Sequence, residues 1–180
     1  QMAIGPVFFF IINLALQKTL FDGFAGVIGV TLADYFYIAL AIIGVGKFLE
    51  HEKVKRSFGI ISSIVLIVFG LMIIKGALNM DLPTNVIVTS TGIFSSFSAV
   101  FLLTLSSPLT IVMWTGLFAA KTLEYNYSKR ELLIFGLSTG LATFIFMGAT
   151  VILFSLLKGT IPITLIKISN IIVGCLLIGY

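Results

Sequence analysis

The stretch GVTLADYFYIALAIIG, residues 29–44, is an apolar and aromatic run broken by a single acid, Asp34. In water that residue would be unremarkable. In hydrocarbon it costs about 2.5–3.5 kcal/mol on insertion scales unless something pairs with it or needs it. The run extends on both sides into a span over residues 24–45, with Asp34 about ten residues from either end. Burial there disfavours the charged form, so Asp34 is a candidate carrier of one proton near neutral pH. The competing reading is an acid that holds helices together by hydrogen bonds, with Tyr35, Tyr37 or Asn13 as partners.

The rest of the chain agrees with a membrane setting. Of 180 residues, 59% are hydrophobic and 10% charged, and the mean hydropathy is +1.19. Soluble domains run at about 25% charged and 45–50% apolar. Apolar windows separated by polar punctuation fall at 1–17, 24–45, 57–78, 91–120, 132–157 and 161–180, each near the ~20 residues a span needs. The first and last read as truncated spans. The punctuation is QKTLFDG, GKFLEHEKVKR, NMDLPTN, KTLEYNYSKR and KGTIP, none long enough for a folded domain. The expected fold is therefore all-α and integral to the membrane, one domain over 1–180, because helices satisfy their backbone internally.

Lys47, Lys53, Lys55 and Arg56 in the second loop and Lys121, Lys129 and Arg130 in the fourth outweigh Lys18, Lys75 and Lys158 in the alternate loops. The richer side is expected to be cytoplasmic, with both termini inside and the plasma membrane as location. Lys167 near the start of the last span is read as a snorkelling anchor. The net charge of +4 then needs no nucleic acid to explain it.

The two halves, about 1–78 and 91–180, resemble each other. IGPVFFF and then GFAGVIGVTLADYFY in the first are answered by SSPLTIVMW and then FGLSTGLATFIF in the second. With three spans per half, the second copy enters from the opposite face, which gives an inverted repeat. Interrupted helices at matching places in such repeats point to a transporter site near the midplane. Gly5-Pro6 and Ser107-Pro108 are the interruptions, since proline removes a donor and clashes one turn back. Ser106 and Ser107 are expected to serve the freed carbonyls with their hydroxyls. Asn13, Tyr37 and Trp114 join them as candidate binding residues, with packing or an interfacial belt as the alternative for Trp114. Asn170 is ambiguous in the same way as Asn13. The place matching Asp34 in the second half, around Phe144–Ile145, is apolar, and no second intramembrane acid is expected beside Asp34.

Other chemistry is poorly supplied. One cysteine, Cys175, excludes an internal disulfide framework or dithiol relay. His51 between Glu50 and Glu52 reads as a solvated loop rather than a metal site. No catalytic triad, HExxH or phosphate loop occurs. No enzyme, cofactor or resident metal is expected. Glycines 23, 26, 29, 136 and 140 read as close-packing positions, and glycine-faced bundles of this size often form homodimers.

These motifs together resemble the lysine exporter (LysE/RhtB-type) family of amino-acid efflux proteins. The resemblance rests on GPVFFFIINLALQKTLFDGFAGVIGVTLADYFYIALAIIG and SSPLTIVMWTGLFAA and spans essentially the whole chain. The family's Pro-Gly-Pro stands here as Ile4-Gly5-Pro6, its Asn-Pro as Ser107-Pro108, and its helix-two aspartate as Asp34. Serine for asparagine keeps a donor and an acceptor but shortens the reach. The resemblance implies export of amino acids or related small metabolites, driven by the proton motive force. Two alternatives stand beside it: a metal-cation transporter of similar architecture and a non-transporting membrane scaffold. A thiol-redox carrier would need a second cysteine.

Overall fold

The computed structural model describes residues 6–43, 52–78, 92–160 and 162–179. Among them seven helices occur: α1 Pro6–Gln17, α2 Leu20–Ile43, α3 Glu52–Leu78, α4 Ile93–Leu105, α5 Pro108–Tyr125, α6 Lys129–Leu157 and α7 Ile163–Gly179. No strand is present among the described residues. Helices α2 and α6 are each long and apolar enough to cross a membrane. So are α4 and α5 taken as one broken span, bent by 61°. Helix α1, Ser63–Leu78 within α3 and most of α7 are shorter apolar stretches. Gly5 and His51 lie outside the described residues.

Among the described residues each apolar window falls on helix, but two boundaries differ from expectation. The fourth window is two helices, because Pro108 cannot continue α4 and instead opens α5 at its first position, where a missing N–H costs nothing. The stretch QKTLFDG is not all loop. Helix α2 starts at Leu20, so Phe21, Asp22 and Gly23 are helical. The cause is a local cap: the Asp22 N–H donates to Thr19 Oγ1 at 3.1 Å and the Thr19 N–H donates to Asp22 Oδ2 at 3.3 Å. That reciprocal pair satisfies donors that every helix start leaves open. Helix α6 begins in the same way, with Ser128 and Glu131 forming a capping box.

Helix α2 is the hub, packing against α1, α4, α5 and α6, while α3 packs against α7. One core joins Ile11, Leu14, Val27, Val30, Val100 and Met147 from α1, α2, α4 and α6. Another joins Leu66, Leu103, Val173 and Leu177 from α3, α4 and α7. The outer faces are apolar as well. Ile60, Ile64 and Leu71 on α3 and Leu133, Leu137 and Leu141 on α6 are all more than half exposed. Stripes of that size do not stay in water; they suit lipid.

Between apolar helices in lipid, close contact through small residues replaces the hydrophobic drive. Gly70 and Gly174 show it. A Cβ on Gly70 would lie 2.7 Å from the Gly174 carbonyl oxygen, and one on Gly174 would lie 2.8 Å from the Gly70 oxygen. A Cβ on Gly140 would run into the Tyr35 ring, and one on Gly136 would fall 2.6 Å from Ile38. These absent side chains let α6 lie against α2.

Candidate functional site

The α2–α6 approach sets Asp34 opposite Thr143. Asp34 is only 5% exposed, and Thr143 and Trp114 are 1% exposed each. The Thr143 hydroxyl donates to Asp34 Oδ2 at 3.1 Å. The Trp114 indole N–H, brought by α5, donates to Asp34 Oδ1 at 3.0 Å. The acid therefore ties three helices together, and both of its donors are neutral. Trp114 is fixed in turn by its neighbours. It packs on Phe118, with ring centroids 6.2 Å apart, in a cluster that includes Tyr37, Ile38, Ile111 and Leu132.

This differs from the expected set of partners. Tyr35 donates to the Leu137 carbonyl at 3.1 Å, because Gly140 leaves room for its ring. Asn13 reaches across to Asn170, joining α1 to α7. Neither of these nor Tyr37 bonds the acid. Thr143 carried no signal in the sequence beyond being one hydroxyl among many in α6, and Trp114 was legible only as an aromatic of uncertain role.

Tyr37 serves the helix break instead. Its hydroxyl donates to the carbonyl of Leu105, the last residue of α4. With the helix broken, that oxygen has lost its in-helix donor. The Thr104 carbonyl, which would have faced Pro108, is taken by the Ser107 N–H at 3.1 Å. The Ser106 N–H returns to the Leu102 carbonyl at 2.9 Å. The expectation that the serine hydroxyls would serve these carbonyls is thus corrected: backbone amides and Tyr37 do so. The Ser107 side chain makes no cap bond, although Ser107 is the N-cap of α5. Pro6 stands at the first position of α1.

A second buried acid was missed. Asp22 has no accessible surface. Besides its own cap, it accepts from the Thr19 hydroxyl at 2.6 Å and from the Ser96 hydroxyl of α4 at 2.8 Å. It lies at the start of α2, more than three turns from Asp34, and the two do not pair. An apolar groove of about 500 Å³ between α2 and α4, lined by Phe21, Ile28, Ile93 and Phe94 among others, offers no polar anchor.

Asp34 is thus a buried acid on neutral donors in a bundle that also contains a broken helix. No curated protein and no solved structure matches the sequence. A family description does match, over residues 1–180: LysE type translocator. With its apolar helices and this match along its whole length, the chain belongs to the LysE type translocator family, whose members are membrane transport proteins of amino acids or related compounds.

Proposed function

We propose that the protein exports amino acids or related small metabolites from the cytoplasm, with uphill flux driven by protons carried on Asp34. One observation carries the proposal: an acid at mid-helix in α2, 5% exposed, is held among the described residues by two neutral donors. Such a carboxylate accepts a proton without breaking a salt bridge, and a protonated Asp34 could donate back to the Thr143 oxygen. A potential of 100 mV contributes about 2.3 kcal/mol per charge, a gradient of roughly fifty-fold for one proton.

The helix break would receive the substrate. The dipole of α5 would favour a carboxylate at its start, and an ammonium at the end of α4 would take carbonyls now held by Tyr37 and backbone amides. Pro6 at the head of α1 would mark the matching break in the first half, with Asn13 further along the same helix; Gly5, the other candidate, lies outside the described residues.

Six spans in two inverted repeats fit this reading. Thr19, Asp22 and Asp34 recur at the same spacing as Ser128, Glu131 and Thr143. In that register, Leu32-Ala33-Asp34-Tyr35 answers Leu141-Ala142-Thr143-Phe144. The counterpart of the acid is then its own hydrogen-bond partner, one residue before the apolar pair expected. A contact between matching positions, such as Asp34 with Thr143, is what a two-fold relation produces. The Lys and Arg balance supports cytoplasmic termini. Glycine faces leave a homodimer open to the same solution measurements.

The second reading, Asp34 as a structural tie, is favoured by the satisfaction of both its oxygens. Counterflow of a labelled amino-acid panel in proteoliposomes, with and without a pH gradient, separates the two. Wild type should move one substrate class uphill with the gradient. Asp34→Asn should exchange it without coupling and keep the same assembly state by size exclusion. Exchange indifferent to the gradient in both proteins would leave Asp34 structural. No amino-acid flux at all would turn attention to metal cations and then to a scaffold.

A further inference from the structure

A helix cap does not require burial. The Ser128–Glu131 box of α6 shows this: both residues are exposed, and Glu131 Oε2 accepts only from Ser128, at 2.7 Å from its N–H and its hydroxyl. The matching Thr19–Asp22 box is fully covered at Asp22, and the carboxylate oxygen not engaged by Thr19 crosses to Ser96 on α4. Ser96 is itself only 1% exposed. Two cations complete this end of the bundle. Lys158, just past α6, donates from Nζ to the Lys18 carbonyl at 2.6 Å. Burial lowers the pKa of both Lys18 and Lys158 from the ordinary lysine value, while the Asp22 charge opposes the shift. Beneath them the packing is tight: a Cβ on Gly23 would lie 2.6 Å from Val151, and one on Gly26 would lie 3.1 Å from both Leu14 and Val100. The turn between α1 and α2, the first turn of α4 and the end of α6 are therefore fastened together at one face.

We infer that the Asp22–Ser96 bond is the closing contact of the translocation pathway on the face bearing Lys18 and Lys158, and that it breaks when this face opens. The chemistry suits a reversible closure. The bond joins α2 of the first half to α4 of the second, so any relative movement of the halves at this end must lengthen it. When it parts, the Asp22 carboxylate keeps Thr19 and the two nearby lysines, so it is not left as a bare buried charge. Ser96 then regains water. The same opening would set an acid and two ammonium groups at the mouth, a pairing complementary to an amino-acid zwitterion. That last point rests on the export reading above; the closure does not.

The test uses accessibility rather than flux. Cys175→Ser with Val100→Cys places one thiol a turn inside Ser96 on α4, and a membrane-impermeant maleimide is added to vesicles of each orientation. Ser96→Ala should speed labelling from the Lys18 face about tenfold, the effect of losing one hydrogen bond to a charged group. Labelling from the other face should not rise. Ser96→Thr, which keeps the hydroxyl, should label like the parent. Equal rates in all three proteins would overturn the closure, as would Thr labelling as fast as Ala. An equal rise from both faces, which marks general loosening, would also overturn it. If Ser96→Ala does not fold, Ser96→Val replaces it; this variant has the size of Thr without the hydroxyl and should also label faster from the Lys18 face. Faster labelling with no flux of any amino acid would sustain the closure and sink the export reading instead.

Discussion

Asp34, Thr143 and Trp114 bear on one another through single atoms, so conservative substitutions separate their roles. Thr143→Ser keeps the donor to Oδ2 and should retain uphill flux, whereas Thr143→Val removes it at nearly constant volume and should lose most coupling. Initial rates under an imposed pH gradient read the difference. Tyr37→Phe acts elsewhere. It strips the Leu105 carbonyl of its donor, and an unpaired buried acceptor costs about 1–3 kcal/mol. The melting temperature in detergent should fall, and the fall should be larger than for Tyr125→Phe, at an exposed ring near the end of α5. None of these atomic pairings was legible in the sequence. Asp34 announced itself by the cost of an acid in an apolar run, but hydroxyls and indoles are tolerated in many places in a membrane helix and so carry little signal.

Among the elements, the α2–α6 pair decides whether the acid meets its donors. Its spacing depends on glycines, which predicts a sharp contrast between two identical substitutions. Gly140→Ala would drive a methyl into the Tyr35 ring. It should destabilise by about 1–3 kcal/mol, as overpacking does, and weaken coupling by parting Thr143 from Asp34. Gly116→Ala, where no atom lies within 4 Å of the added carbon, should be neutral or stabilise by up to about 1 kcal/mol through helix propensity. Thermal unfolding of both variants in one detergent checks the pair. The break between α4 and α5 was legible because a proline far inside an apolar window removes a donor and clashes one turn back, so one helix must end before it. The way the break is satisfied was not, since the Leu105 carbonyl is met by Tyr37 from another element.

For the whole molecule, the helix ends sort into two faces. Lys18, Ser96 and Lys158 gather at one, and α5 ends opposite, near the start of α6. On the basic balance we propose the second group as cytoplasmic. Single cysteines in a Cys175→Ser background test this: Glu124→Cys should react with an impermeant maleimide only in inside-out vesicles, and Gly159→Cys only in right-side-out ones. The reverse pattern would invert the proposed direction of export.

What the sequence settled by itself was whatever one residue's neighbours along the chain dictate. Long apolar windows with 10% charge leave helices in lipid as the stable outcome. Ser107-Pro108 must interrupt one of them, and the order of the motifs placed the chain in its family. The assignment of Asp22 to a loop failed at the same level, because the residue is polar and close to Lys18. Only the tertiary structure could show that Thr19 caps the helix there and that Ser96 arrives from the other half to cover the acid. It alone chose Trp114 and Thr143, rather than Tyr35, Tyr37 or Asn13, as the partners of Asp34. The reason is geometric: a hydrogen bond needs two atoms within about 3 Å. Between helices that distance is set by which glycines permit contact, and no spacing along a single chain encodes it.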